Sequence, residues 1–336
     1  MKFRFWSAIL VVLAGLPCTH SSASGLPLQM VADIPLPGHA SRLDYASIDA
    51  MRHRLFIAHL GDSNVIVFGL DARKPLAIVP DIGHVHGVLA VAALGRVYAS
   101  ATSSNEIVDI DASTLAIRAR SAGGFYPDGM AWVPGHNELY VSDEHGRSET
   151  VIDTRTDQRV ATLALDSTVG NSAFDSASGH VFVNAQSANQ LVEIDPARHA
   201  IMARYDLAGA DSPHGLLIDT ADRLALIACE NNHRLLVFDL NSHRVTASFP
   251  VGPEPDVLAF DPQLHTLYVA GEQGVVSVFS ITATGVTKTG EGFLADNAHV
   301  VVIDPTSHLV YFPLRDVGGT PMLRIMRPRP LPADRH

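Results

Sequence analysis

Residues 212–219 read SPHGLLID. GLLID is an apolar run bounded by turn residues, the pattern of a buried strand, and His214 stands directly in front of it. The same arrangement returns along the chain in LDYASID (43–49), HGVLAV (86–91), DGMAWV (128–133), NSAFDS (171–176), DVLAFD (256–261) and HVVVID (299–304). Aligned on the first polar residue, the positions are Asp44, His86, Asp128, Asn171, His214, Asp256 and His299, separated by 42, 42, 43, 43, 42 and 43 residues. So constant a period over seven copies marks an internal repeat.

Each copy continues with a second strand: RLFIAH, RVYAS, ELYVSD, HVFVNA, LALIAC, TLYVAG and LVYFP. A polar turn follows, then a third strand such as QLVEIDPA or RLLVFDLN, and a fourth such as RVATLALD or RVTASFPV. Four short strands per repeat of ~40–45 residues is the signature of a propeller blade. The expected fold is therefore all-β, a seven-bladed β-propeller with four-stranded blades. The last repeat has no fourth strand after MLRIM, and QMVADIPLP (29–37) can supply it. The ring is then closed by pairing of N- and C-terminal strands. Residues 25–336 are read as a single propeller domain.

Segments such as LYVSDEHGRSETVIDTRTDQRVATL and VFVNAQSANQLVEIDPARHAIMARY resemble the YVTN-repeat, YncE-like β-propellers. The shared pattern is an aromatic–aliphatic strand, a polar turn, a strand ending in Ile-Asp, and a Thr- or Arg-rich turn. It covers nearly all of the chain after residue 24. This sequence departs from the plain repeat by placing histidines where many such repeats have Pro-Asp or Pro-Gly.

Composition bounds the partners. Hydrophobic residues make up 47% and charged residues 18% of the chain, which places it among globular proteins. Lys2 and Arg4 followed by FWSAILVVLAGLP and the small residues SSAS (21–24) read as a signal peptide over residues 1–24, cleaved near Ser24. The expected location is periplasmic or secreted. Losing Lys2 and Arg4 takes 24 basic residues to 22 against 35 acidic ones, a formal charge of −13. That charge opposes binding to nucleic acid or anionic lipid. No later stretch is apolar enough to insert in a membrane, and the protein is expected to be a monomer. Cys229 is the sole cysteine after residue 24, so no internal disulfide is expected.

In a propeller the first strand of each blade lines the central channel, so the seven aligned residues form one ring at one channel mouth. The turn after strand two forms a second ring just outside it, holding His59, Asp143, Glu144, Gln186, Cys229, Glu230, Glu272 and Arg315. The histidines of the inner ring lie on blades 2, 5 and 7. At ~51° per blade, His86, His214 and His299 approach the axis from roughly trigonal directions. Three converging imidazoles suit a divalent metal ion: Zn, Cu, Ni or Fe, with Ca also open given the neighbouring carboxylates. Asp44, Asp128 and Asp256 stand between them as direct or supporting ligands. Glu230 and Glu272 are candidate catalytic acid or base groups, and Arg315 a candidate for binding a substrate carboxylate or a developing oxyanion.

The architecture broadly resembles propeller lactonases and streptogramin lyases, which implies a metal-dependent hydrolase or lyase acting on a small molecule at the channel mouth. The alternative is a noncatalytic periplasmic propeller that binds a metal, a ligand or a partner protein.

Overall fold

The computed structural model describes residues 25–283 and 285–329. The signal peptide expected over 1–24 lies outside them, as does the end of the basic tail. Seven four-stranded antiparallel sheets make up the chain, and their strands follow sequence order from the inside of each blade to the outside. Blade 5 is representative: Pro213–Asp219, Leu224–Cys229, Arg234–Asp239 and Arg244–Pro250. The seventh sheet takes its fourth strand from the other end of the chain. Leu28–Pro35 pairs antiparallel with Met322–Pro328, with Gln29 opposite Arg327 and Ile34 opposite Leu323. Arg324 grips Asp33 across that seam with two hydrogen bonds of 2.8 and 2.6 Å.

Apolar packing lies between the blades. The second and third strands are buried on both faces, as in ELYVSD of blade 3, whereas the outer strand Gln158–Ala164 is largely exposed. Among the described residues, seven buried clusters fall one at each blade–blade junction. Val91, Tyr98 and Ile107 of blade 2 meet Leu139, Val141 and Ile152 of blade 3. Leu309, Tyr311, Leu323 and Ile325 of blade 7 meet Leu55, Ile57 and Phe68 of blade 1, which seals the ring. Each fully buried Leu, Ile or Val contributes about 1.5–3 kcal/mol by leaving water.

A bulge aims the ring residues. In blades 2 to 6 the pairing of strands one and two shifts register across the ring position, for example between Val85 and Val88, Pro127 and Met130, and Pro213 and Leu216. A bulge re-aims the side chain it contains, here His86, Asp128 and His214 at the channel mouth. Glycine follows each of these three because the next blade approaches closely. A Cβ on Gly87 would lie 2.2 Å from the Asp128 carbonyl oxygen, and one on Gly215 1.9 Å from that of Asp256.

Candidate functional site at the channel mouth

The ring forms a polar well of about 380 Å³ lined by Asp44, His86, Asp128, His214 and Asp256, with Glu144, Glu230 and Glu272 above them. Asp44, Asp128, His214, Asp256 and His299 are all buried. Asn171 is half-buried and lines a separate cavity of about 240 Å³ lower in the channel. Tyr45 separates the two spaces. Its ring crosses from blade 1, and its hydroxyl donates to Asn171 Oδ1 on blade 4 at 2.8 Å and lies 3.4 Å from His214 Nε2.

The three histidines take different roles. His86 is fully engaged: its Nδ1 lies 2.9 Å from Thr102 Oγ1 and 3.0 Å from the His84 carbonyl, and its Nε2 accepts from the Tyr126 hydroxyl at 3.1 Å. Burial holds its pKa below the usual value, so it is neutral. His214 sits 3.4 Å from Asp256 and 3.8 Å from Glu230. Burial opposes its charge, but the carboxylates of Asp256, Glu230, Asp128 and Glu144 overcome that and raise it to about 9. His299 points Nδ1 at the Asn297 carbonyl at 3.1 Å, which leaves Nε2 facing Asp44 and Asp256, each 3.9 Å away. Its pKa is also raised, against burial, by the same kind of acidic surroundings.

The carboxyls divide as well. Burial and the nearby Asp44 charge push Asp128 well above the usual carboxylate range. Asp256 rises to about 6, mainly through burial. Asp44 is held low despite burial, because His299 and Arg42 stand beside it.

The trigonal three-histidine centre expected from the register does not form. Among the described residues, the one group whose potential ligand atoms all lie within 4.8 Å of one another is Asp256, Glu272 and His299. That group draws on the neighbouring blades 6 and 7 and includes neither His86 nor His214. His86 has also committed its Nε2 lone pair to Tyr126. One imidazole and two carboxylates suit a divalent cation. Asp256 Oδ1 is buried without a hydrogen-bond donor, and the Nδ1 anchor on His299 leaves Nε2 available, so these residues fit one. A competing cation stands beside them. Arg42 Nη2 lies 2.7 Å from Glu272 Oε1 and 3.4 Å from His299 Nε2, while its Nε donates to Asp44 at 3.0 Å.

Of the second ring, Glu230 reaches the well and is held by Gln186 at 2.8 Å and Ser212 at 3.2 Å. Arg315 is exposed and does not line the well. It borders a neighbouring rim pocket with Arg42 and Glu272. Cys229 is fully buried, with its thiol pushed up to about 12, and takes no part in the mouth. Asp143 and His59 are buried beneath the loops they support.

Sequence reasoning missed Arg42, Tyr45 and Tyr126. Arg42 and Tyr126 each stand two residues before a ring residue, where the other blades carry His84, Val169, Ser212, Glu254 and Asn297. Five of these seven positions have left-handed φ angles between 46 and 64° without glycine: His84, Tyr126, Ser212, Glu254 and Asn297. Extending the repeat alignment two residues upstream would have found this outer row.

No family model matches the chain, and no curated protein sequence matches it. Solved structures do. The RRP9 WD40 repeats are 12% identical at a TM-score of 0.76, covering 89% of this chain and 100% of that one. The hydrazine synthase of Kuenenia stuttgartiensis is 12% identical at 0.74, covering 92% and 99%. The virginiamycin B lyase of Staphylococcus aureus is 13% identical at 0.72, covering 89% and 98%. At such identities the likeness establishes the fold alone, a seven-bladed β-propeller.

Proposed function

We propose that the channel mouth is a small-molecule site in which a divalent cation held by Asp256, Glu272 and His299 assists a hydrolase or lyase reaction. The observation that carries this reading is the convergence of those three side chains within 4.8 Å beside the open well. When bound, the cation would polarise a substrate oxygen or acidify a water. The chain supplies the rest. His214 faces the well 3.4 Å from Asp256, so it is placed to pass a proton to or from a substrate group. Glu230, fixed by Gln186 and Ser212, lies 3.8 Å from that imidazole and favours its charged form. Arg42 must release Glu272 and keep Asp44 when the cation enters.

The test is elemental analysis and Zn²⁺ titration calorimetry on protein purified without a histidine tag. Asp256→Asn and His299→Ala should each weaken binding by about 100-fold or more, and His86→Ala should leave it within about threefold. Equal affinity in all three variants overturns the metal reading. A second reading, a noncatalytic ligand binder, is favoured by one observation, the Arg42 guanidinium already lodged between Asp44 and Glu272.

Kinship with YVTN-repeat propellers is part of the same proposal and rests on the repeat pattern. Export rests on the basic start, apolar stretch and small residues of positions 1–24. An N-terminal sequence beginning near residue 25 in the native cell would support export, and one beginning at Met1 would overturn it.

A further inference from the structure

The wall of the well opposite the proposed cation is aromatic. His86, Tyr126, His145 and Phe125 form a continuous run, with ring centroids 5.0 Å apart for His86–Tyr126, 4.3 Å for Tyr126–His145 and 6.2 Å for Phe125–His145. All four come from blades 2 and 3. Asp256 and Glu272 come from blade 6, three and a half blades away from the junction of blades 2 and 3. At ~51° per blade that is the opposite side of the mouth. His86 and Tyr126 line the well, His145 and Phe125 continue the run outside that lining, and Phe125 is 60% exposed.

This exposed aromatic is held rigidly. The Asp143 carboxylate, buried between the Ser148 and Thr150 hydroxyls, accepts the Gly124 N–H at 2.9 Å. Asn105 Oδ1 accepts the Tyr126 N–H at 2.9 Å, and the Phe125 carbonyl accepts the Gly146 N–H at 2.8 Å. Tyr126 itself sits at φ 64°, an unfavourable conformation for a bulky residue. A pinned loop that presents a large aromatic to solvent next to a residue of the well is suited to contact with a ligand.

We infer that the substrate is a small molecule with a planar ring, which lies against Phe125, Tyr126 and His145 while an oxygen-bearing head reaches the acidic side at Asp256, Glu272 and His299. This rests on the small-molecule reading of the mouth given above. A well of about 380 Å³ lies at the small end of ligand sites, fit for one or two rings. Offset stacking on aromatic faces favours a planar ring over a saturated one of equal size. The oxygen head matches the ligand preference of a hard or borderline divalent cation.

Ligand-observed NMR titrations on the full chain with two matched pairs test this. Phenol against cyclohexanol probes the wall without any need for a cation. Phenylacetate against cyclohexylacetate, with and without Zn²⁺, probes wall and head together. The wild type should prefer each planar ring by about fivefold. Phe125→Ala and His145→Ala should abolish that preference, and Phe293→Ala, an equally exposed phenylalanine on the outer strand of blade 6, should keep it. No preference for phenol over cyclohexanol, or a preference that survives Phe125→Ala, overturns the aromatic subsite. If phenol is preferred but Zn²⁺ does not tighten phenylacetate, the wall stands, while the oxygen head and the metal reading fall.

Discussion

The first strand of blade 6, Pro255–Asp261, carries an aspartate near each end, and the two live in opposite conditions. Asp261 accepts the N–H groups of Gln263 and Leu264, both at 3.0 Å, and meets His308 of blade 7 at 2.7 Å. Asp256 has a buried oxygen with no hydrogen-bond donor, and burial pushes its carboxyl up to about 6, with Asp44 and Glu272 adding to the rise. Asp175, on the first strand of blade 4, repeats the pattern of Asp261. It accepts from Ala177, Ser178 and Thr220 and binds Arg223 of blade 5, and it is held down to about 2 although burial works against it. A tight turn supplies its own N–H donors and places a neighbouring blade within reach. A bulge at the channel mouth supplies no such N–H donors and leaves Asp256 with charge contacts alone, His214 of blade 5 at 3.4 Å and His299 of blade 7 at 3.9 Å. The first strand of blade 6 thus carries aspartate near both ends and leaves only Asp256 with an oxygen short of a hydrogen-bond donor.

The contrast breaks if the two sets of aspartates respond alike to substitution. Asp175→Ala strands the Arg223 guanidinium and the Thr220 hydroxyl, and should cost about 3–5 kcal/mol in denaturant unfolding. Asp256→Asn removes a carboxylate whose Oδ1 accepts no hydrogen bond but faces His214 at 3.4 Å, and should cost about 1 kcal/mol, well below Asp175→Ala. Comparable losses in both would refute the division.

Acidity should separate the two ends with opposite signs. Asp175 has a folded pKa below its unfolded one, so its contribution is present above about pH 4 and is lost as pH falls towards 2. His214 has a folded pKa of about 9, above the unfolded value, so its contribution is complete below about pH 6.5 and is lost as pH rises through 9. Stability should therefore decline between about pH 6.5 and 9 by up to about 3 kcal/mol. His214→Gln should flatten that decline, and an unchanged slope would show that His214 does not hold its proton.

Smaller effects sharpen the boundary. Tyr45→Phe removes the donor to Asn171 while keeping the ring across the channel, and should cost about 1 kcal/mol. Arg315→Ala, at an exposed side chain away from the well, should stay within about 0.5 kcal/mol. A large loss there would mean that the rim pocket is structural.

Much of this organisation is legible in the sequence. The ring position is visible because one residue per blade recurs at an almost fixed spacing, and the closing strand because the seventh repeat stops one strand short. The partnerships inside the mouth are not. Arg42 and Glu272 are 230 residues apart and belong to different blades, so no local pattern links them. The trigonal histidines fail for a related reason: register fixes direction towards the axis, but channel width decides which side chains meet. Tyr45 follows its ring residue where blades 2, 3 and 5 have glycine, and only the folded ring shows that it reaches blade 4.

The seam between Leu28–Pro35 and Met322–Pro328 has a kinetic consequence. Six blades can assemble from contiguous chain as the ribosome delivers it. The seventh must wait, because Asp33 emerges 291 residues before the Arg324 that it binds. Until then the nascent ring exposes unpaired strand edges at both ends, the surfaces most prone to aggregate. Loop closure over such a distance costs only slowly growing entropy but delays the last native contacts. The slowest step in folding should therefore be the snapping shut of one blade, and a chaperone that shields the early strand would speed production of the whole molecule.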